Sequence, residues 1–467
     1  MSRINTNIAS LQAINRLSKN NQDLATRLQR LSTGLKINTG KDAPAALIAS
    51  ETLRSEINGI NQAIDTSTRA NNVINTAEGA LGEVSALLLE IQALTNEAAN
   101  NGALSRQEIE ANQLQVDSIL NSINRIANTT QFNGVKLLNG SLDYTTSGVL
   151  STAIDAYQIN AAKLPDNGYQ TVTVEVTNSA ELGEVQFSGT SISGAVTIEI
   201  AGNIGTEQLS FASGTATSGI AFAVNQLAGA TGVSAVVSGS VLRFTSTAFG
   251  SDQFVSVKTI SGTFVNGKDF GEDAQVNING AQAEVKGLVA SVRTGNLDLS
   301  LTLDPAFAQN TTTGTTSFTI TGGGARFQIG SEVNRQGQIH VGISSVSTTK
   351  LGNEVVGFLS SLASGGANSL VGGNTIQAQK VITAAIRQVA TLRGRLGALQ
   401  KNVLETNVNS LQIALENVTA SESAIRDADF AAETARLTRA QILVQANTSV
   451  LAQANAAPQN VLALLGG

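Results

Sequence analysis

Few residues in this sequence could do chemistry. The single histidine, His340, lies in an Ile-His-Val run, and the chain has no cysteine. Nucleophilic catalysis and metal binding both need several converging groups, and no His-Glu-x-x-His run supplies a zinc site. The triplet Gly322 to Gly324 precedes no Gly-Lys-Ser/Thr, so it predicts a turn rather than a phosphate-binding loop. We therefore predict no catalytic residue, no metal site and no cofactor, and His340 is interpreted as an ordinary strand residue.

Composition narrows the remaining classes of function. The 467 residues exceed what one compact core usually spans, so two or more domains are expected. Charged residues make up 14% of the chain and the net charge is -6, and no basic patch with interleaved aromatic residues indicates nucleic-acid binding. The sequence has no apolar run long enough to span a membrane, and its first residues lack the apolar core of a secretory signal. This pattern fits either a cytoplasmic protein or export by a route without a cleaved signal.

The elements that dominate the sequence are two helices with apolar seams, one near each end. Within each, apolar side chains recur at helical spacing, and several repeat every seven residues, as in helices that pack against a partner. Pro458 predicts a kink or a frayed turn in the last helix. The seams comprise Ile4, Ile8, Leu11, Ile14, Leu17, Leu24, Leu28, Leu31 and Leu35 at one end, and Phe430, Leu437, Val444 and Leu451 at the other.

These terminal helices are expected to need partners. Ordering a helix costs backbone entropy that one line of seam side chains offsets only in part. Pairing the two ends would still leave the outer faces in water, and those faces carry Ala, Asn, Gln, Ser and Thr with few charges. We expect the terminal helices to become fully ordered only when many copies of the chain pack around them.

A long second helix is predicted after a connector of about ten residues. Pro44 suits its first turn, and Asp42 could cap it. Its apolar pattern continues to Leu94, which gives a helix of about fifty residues. Asn100 to Gly102 break this pattern before a third helix.

A β-rich stretch follows, from about residue 141 to 345. Asn133-Gly134 and Asn139-Gly140 are type I′ turn signals that introduce it. Beyond them, β-branched residues alternate between turns of Gly, Ser, Thr and Asn, which is typical of strands. One short helix, Gly219 to Leu227, is expected to interrupt them.

Helical spacing resumes near Ile376, and its apolar seam moves one position over between Val403 and Leu404.

The predicted fold class is α+β: a long antiparallel helical rod with coiled-coil termini and an inserted β-rich outer domain at the far tip. The predicted domains are terminal helices at 1–43 and 424–467, a helical rod with β-hairpins at 44–172 and 318–423, and a β-rich variable surface domain at 173–317.

Five runs of residues stand out in the sequence: Leu31-Ser-Thr-Gly-Leu-Lys-Ile-Asn38, Lys41-Asp-Ala-Pro-Ala-Ala-Leu47, Thr130-Gln-Phe-Asn-Gly-Val-Lys-Leu-Leu138, Phe327-Gln-Ile-Gly330 and Ala456-Ala-Pro-Gln-Asn-Val-Leu-Ala-Leu-Leu465. Together they resemble bacterial flagellins, and the resemblance covers about residues 1–140 and 318–467. Segments 180–260 and 275–304 resemble a β-rich motif in the variable regions of flagellins and hook-associated proteins.

The resemblance implies a structural, non-enzymatic subunit that polymerises into the flagellar filament. It implies unfolded export through the flagellar type III channel to an extracellular filament, with an export chaperone, a cap protein and hook-associated proteins as partners. Terminal helices would form an inner tube, the rod an outer tube, and the variable domain the exposed surface. With the heptads, it predicts polymer contacts at Leu11, Leu17, Leu24, Leu28, Leu31, Leu35, Phe430, Leu437, Val444, Leu451, Leu464 and Leu465.

One segment departs from the family pattern. Flagellins sensed by the Toll-like receptor of innate immunity carry an Arg-bearing basic patch on the rod helix, at a point that matches Leu88 to Leu94 here. This sequence has Glu90 and Gln92 where arginine would be expected. A change from basic to acidic weakens an interface built on arginine. The positions Glu90, Gln92 and Leu94 therefore predict weak or no recognition by that receptor.

Other functions fit parts of the pattern. A hook–filament junction protein of the same family would share the terminal helices, although the Leu-Ser-Thr-Gly-Leu-Lys-Ile-Asn run favours a flagellin. An adhesin or glycan-binding protein would use residues 173–317 to bind its ligand. An ordinary intracellular coiled coil would carry more charged residues and would have no inserted β domain. The Ser/Thr-rich middle fits either O-linked sugars or solvated turns.

Overall fold

Helices and strands both contribute extensively to the structure. The computed structural model describes residues 6–100, 102, 104–165, 168–309 and 314–465, with side chains up to residue 456. This mixture confirms the predicted α+β class. The α-helices are α1 (Ile8–Thr33), α2 (Pro44–Ala98), α3 (Arg106–Thr129), α4 (Thr217–Gln226), α5 (Ala228–Thr231), α6 (Pro305–Ala308), α7 (Thr375–Leu399), α8 (Thr406–Arg426) and α9 (Phe430–Leu465).

All strands in the described part of the chain lie between α3 and α7. They are β1 (Gln131–Phe132), β2 (Val135–Lys136), β3 (Tyr144–Ser147), β4 (Ile154–Ala162), β5 (Gln170–Asn178), β6 (Glu184–Ser188), β7 (Val196–Gly202), β8 (Thr206–Phe211), β9 (Val233–Ser238), β10 (Val241–Ser246), β11 (Phe254–Ser261), β12 (Gly267–Phe270), β13 (Gln275–Ile278), β14 (Ala281–Gln282), β15 (Glu284–Lys286), β16 (Val289–Arg293), β17 (Leu297–Leu303), β18 (Thr315–Gly323), β19 (Ala325–Gln328), β20 (Gln338–Val341), β21 (Gly352–Asn353) and β22 (Gly357–Phe358).

The described chain forms two compact units. The first takes its residues from Met1–Arg69, Gln328–Gly337 and Val403–Gly467, and the second from Ala70–Phe327 and Gln338–Asn402. In the first unit, α1 packs against α9, and the beginning of α2 packs against α8. Arg426 on α8 donates to the Glu51 carboxylate of α2 at 3.1 Å, and Ser50 donates to Glu422 at 3.3 Å.

A π-helical stretch, Gln400–Glu405, joins α7 to α8 and accounts for the shift of the seam. Leu392 and Leu396 are buried on α7, and the next buried residue is Leu404 rather than Val403. A π turn inserts one extra residue into an α-helix. The buried line therefore moves by one residue, as the sequence pattern predicted.

Two sheets of the second unit share one hydrophobic core. One sheet has the strand order β14-β13-β5-β18-β3 and the other β15-β16-β17-β4. Alternate residues such as Val174, Leu299 and Ile320 are fully buried between them. The predicted boundaries at 172/173 and 317/318 fall inside β5 and β18, which pair antiparallel with Thr173 opposite Ser317. Both boundaries would divide one hydrogen-bonded ladder.

A smaller module is inserted between β5 and β13. Its sheets, β6-β10-β9 and β12-β11-β7-β8, enclose a second core with Ile198, Ile220 and Phe244 at its centre. At its base, Glu181 and Glu272 exchange backbone hydrogen bonds of 3.0 and 2.9 Å. The helix expected over residues 219–227 is α4, so this prediction is confirmed within the usual uncertainty of helix ends.

Local turns test three finer predictions. Asn133 and Gly134 both have positive φ, as a type I′ turn requires. At Asn139-Gly140 only the glycine does, because the Asn139 side chain instead accepts a hydrogen bond from the Ser141 amide, so that turn prediction is wrong.

Asp42 accepts from the amides of Thr39 and Asn38, and these bonds lower its pKa. The sequence predicted that Asp42 caps α2. Its carboxylate instead stabilises the turn in the connector before α2.

The last helix also differs from expectation. α9 continues through Pro458 and ends at Leu465. Proline removes one backbone donor and crowds the preceding turn, yet the helical backbone runs on for seven residues beyond it. The predicted fraying at this proline is therefore not seen.

Replacing Phe244 with alanine should destabilise the inserted module. Phe244 is fully buried and lies edge-on to Phe264 with ring centroids 6.1 Å apart. Loss of such a ring typically lowers the free energy of unfolding by about 3–5 kcal/mol. Phe222→Ala is the matched control, because its ring is 67% exposed and the expected change is within about 0.5 kcal/mol. Urea denaturation of both variants measures the difference, and equal losses would contradict the assignment of this core.

Candidate functional site

The site is the antiparallel pair formed by α1 and α9. Asn7 caps α1, since its side-chain oxygen accepts from the Ser10 amide at 3.0 Å. Its side-chain nitrogen then donates to the Ala454 carbonyl of α9 at 2.7 Å, and Ser10 donates to Asn455 at 2.7 Å. One polar cap therefore starts the first helix and attaches it to the last.

The opposite end of the pair is held by backbone hydrogen bonds. Gly34 ends α1 with φ +72, a left-handed conformation that favours glycine. The chain then runs beside the segment between α8 and α9, where the Lys36 amide donates to Arg426 at 2.7 Å and the Ala428 amide donates to Gly34 at 2.9 Å. The pair is thus anchored at both ends.

A cluster of charges crosses the pair near the end where α1 finishes and α9 begins. Arg27 of α1 donates to Glu433 of α9 at 2.9 Å, and Arg436 lies 3.3 Å from the same carboxylate. Glu433 is only 4% exposed. Its hydrogen bond raises the pKa of Arg27 despite the opposing effect of burial, so the guanidinium stays charged. Removal of these partners would leave the Glu433 carboxylate buried without a counter-charge, which would strongly destabilise the packing of α1 against α9.

These anchors set the register of the two helices. They place Leu24 level with Leu437 and Leu17 level with Val444. All four side chains are half-buried, as are Leu31, Leu35 and Leu451. Ala13 and Ala440 fill the layers between them and are almost fully buried. The strict heptad leucines therefore form a seam within one chain.

A second set of apolar residues on the same helices faces water. We call these residues the outer stripe, and each is between 41% and 61% exposed. Because successive residues are about 100° apart on a helix, Ile14 and Leu28 follow one line beside the seam. The outer stripe comprises Ile8, Leu11, Ile14 and Leu28 on α1, and Phe430, Ile442, Leu443 and Val450 on α9.

The twelve predicted contact residues thus fall into three groups. Leu11, Leu28 and Phe430 belong to the outer stripe. The seam contains the seven half-buried residues already named. Leu464 and Leu465 lie on α9, but their side chains are outside the described residues.

The predicted receptor-contact positions lie in the second unit, on α2. Leu88, Ile91 and Leu94 are buried there, with Leu94 only 8% exposed. Glu90 is exposed and Gln92 is half-buried. Glu90 and part of Gln92 can therefore meet a partner, whereas the Leu94 side chain belongs to the core.

His340 lies in β20 and is half-buried. Burial lowers its pKa, and the nearby charges of Arg326 and Lys163 lower it further, so the ring is neutral at pH 7. Among the described residues, no group of acidic, histidine or cysteine side chains could hold a metal ion. None of the described helices is long and apolar enough to cross a membrane.

Sequence reasoning missed part of the site. Leu443 and Val450 are seven residues apart and repeat the heptad one position before Val444 and Leu451, so periodicity could have found them. The ion pair between Arg27 and Glu433 could not be found that way, because it depends on a register between residues 406 positions apart.

Comparisons with known proteins match both ends of the chain and its full length. A family model for the bacterial flagellin N-terminal helical region matches residues 4–143, and one for the C-terminal helical region matches residues 379–465. A flagellin from Salmonella typhimurium is 30% identical, and so is polar flagellin B/D from Vibrio parahaemolyticus. A flagellin from Bacillus subtilis is 28% identical. Each alignment covers 99% of this chain and 99% of the relative.

Glu433→Gln should loosen the pair of terminal helices. The neutral amide keeps the size of the side chain but removes the charge that Arg27 and Arg436 share. A hydrogen bond to a charged group contributes about 1.5–3 kcal/mol. Limited proteolysis of the monomer should therefore cut α1 and α9 several-fold faster, whereas Glu416→Gln, at an exposed position on α8, should behave as wild type. Equal cleavage rates would show that this cluster does not hold the helices together.

Proposed function

This chain belongs to the bacterial flagellin family and is a structural subunit of the flagellar filament, and we propose that its copies polymerise through the outer stripe of α1 and α9. The observation that carries the proposal is that eight large apolar side chains stay 41% to 61% exposed on two adjacent helices. Exposed apolar side chains that lie near one another mark interaction sites, and these eight lie on two helices that pack against each other. Copies of the same chain are the partners that this family supplies.

The proposal divides the apolar residues by role. The seam, with Leu17, Leu24 and Leu437 among its members, holds the two helices of one chain together. The outer stripe contacts neighbouring chains. Each half-exposed side chain that becomes buried contributes on the order of 1–2 kcal/mol, so several of them acting in each of many copies stabilise a long polymer. Leu464 and Leu465 are assigned to the same contacts on the pattern of the sequence.

The remaining parts of the chain receive the roles expected for the family. Residues 1–43 and 424–467 are assigned to the inner tube of the filament, and the helical parts of 44–172 and 318–423 to an outer tube. The β-rich region around 173–317 is assigned to the exposed surface. Strands β5 and β18 cross those last boundaries, so the surface region and its base form one folded body.

Export and assembly partners follow from the same assignment. We expect the chain to leave the cell unfolded through the flagellar type III channel, with an export chaperone, and to add beneath a cap protein in an extracellular filament. Hook-associated proteins would contact the first copies. A role as the hook–filament junction is less supported, because the relatives that align over 99% of both chains are flagellins.

Leu28→Asp should block polymerisation without unfolding the monomer. Leu28 is 50% exposed, so the carboxylate remains hydrated in the free chain but would be buried without a partner in the polymer, at a cost of a few kcal/mol. The critical concentration for filament growth should rise at least tenfold while the far-ultraviolet circular dichroism stays unchanged. Sedimentation and negative-stain microscopy measure the polymer.

Two further variants control this experiment. Leu28→Met keeps an apolar side chain of similar volume and should polymerise normally. Leu24→Asp places a charge in the seam within one chain, so it should lower the helix content of the monomer as well as block growth. Normal filaments from Leu28→Asp would refute the role of the outer stripe.

Recognition by the innate Toll-like receptor should be weak and should increase when arginine is restored. The pair of changes Glu90→Arg and Gln92→Arg replaces an acidic and a neutral side chain with groups that form bidentate hydrogen bonds. We expect a reporter-cell response at least several-fold above wild type. Glu97→Arg, an exposed position on the same helix, controls for charge alone. A strong response to the wild-type chain at low concentration would overturn the prediction.

A further inference from the structure

A groove in the second unit has no role in the proposed polymer contacts. Its volume is about 860 Å³. Residues 154–159 of β4 form one wall, residues 344–347 form another, and Gln388 and Leu392 of α7 also line it. Hydroxyl and amide groups are frequent among the lining residues, so the groove suits a polar guest.

The wall made by β4 is the edge of a sheet. β4 is the last strand in the order β15-β16-β17-β4, and it pairs along its length with β17. The carboxyl end of β4 is covered on its other side. There the Asn160 carbonyl accepts from the Gly342 amide at 3.0 Å, and the Ala162 amide donates to the Tyr144 hydroxyl at 2.9 Å. For residues 155–158, the described part of the chain shows no backbone hydrogen bond outside the sheet. An exposed edge of this kind is a template for another strand.

The same part of the groove carries two acidic side chains. Asp155 and Glu354 both line it. Burial raises the pKa of Asp155, and repulsion from Asp304 and then Glu354 raises it further. A cation, Lys350, also lines the groove, and its charge acts on Asp143. The charges that act on Asp155 are acidic, so a positive group placed there would relieve their repulsion.

We propose that this groove binds an extended peptide segment of a partner protein that carries lysine or arginine, which adds to the free edge of β4 as a fifth strand. Strand addition takes its affinity from main-chain hydrogen bonds and its specificity from alternate side chains. The open stretch, residues 155–158, extends over roughly 13 Å at about 3.3 Å per residue. Side chains on one face of the guest would reach Asp155 and Glu354. Acidic or purely aliphatic segments would leave those carboxylates unpaired.

Fluorescence anisotropy with the monomeric full chain tests this inference. The probe is a fluorescein-labelled hexapeptide of alternating Thr and Lys, and we expect saturable binding. The same peptide methylated on alternate backbone nitrogens cannot form the strand hydrogen bonds, and an alternating Thr and Glu peptide has the wrong charge. Both should bind at least tenfold more weakly.

Variants of the chain complete the test. The double change Asp155→Asn and Glu354→Gln should weaken binding of the Thr-Lys peptide at least tenfold, while circular dichroism shows the chain still folded. Glu207→Gln, at an exposed position on β8, should leave binding unchanged. The proposal is wrong if the Thr-Lys peptide does not bind, if backbone methylation has no effect, or if the double variant binds as well as wild type. Polymerisation of the double variant should be normal, which separates this site from the outer stripe.

Discussion

The antiparallel contact between α1 and α9 is the interaction on which the rest of this structure depends. It joins residues from opposite ends of the chain, through a capped helix start at one end and backbone hydrogen bonds at the other. Its half-buried seam residues, such as Leu24 and Leu437, alternate with layers that contain the buried side chains of Ala13, Ala440 and Glu433. Such a seam aligns two helices but cannot cover them, and the apolar side chains left outside are available to other copies.

The two units differ in how they obtain their stability. The second unit has two hydrophobic cores of its own, in which residues such as Leu299 and Phe244 are fully buried. In the first unit, α1 buries only Ala13 among its described residues and α8 buries none. Because helix stability in proteins comes mostly from packing of an apolar face, we expect the first unit to gain further burial when it assembles. This asymmetry suits a subunit that folds its surface region alone and completes its terminal helices in a polymer.

Much of this organisation could be predicted from the sequence, and the failures have physical reasons. Heptad spacing located both terminal helices, and the shift at Leu404 marked the π-helical stretch. Periodicity could not separate the seam from the outer stripe, because both follow helical spacing and only the partner helix decides which side is covered. The limits predicted for the β-rich region fall within β5 and β18, whose pairing depends on a long-range register that the local sequence does not show. The free edge of β4 has no local signal, because strand order is a property of the whole sheet.

Hydrogen exchange measured residue by residue, on the monomer and on the filament, tests the central claim most directly. If the seam only aligns the terminal helices and neighbours complete their burial, amides of α1 and α9 should be weakly protected in the monomer and protected many-fold more strongly in the filament. Amides in β5 and β17 of the second unit should be equally protected in both states. Full protection of α1 and α9 in the isolated monomer would contradict the account.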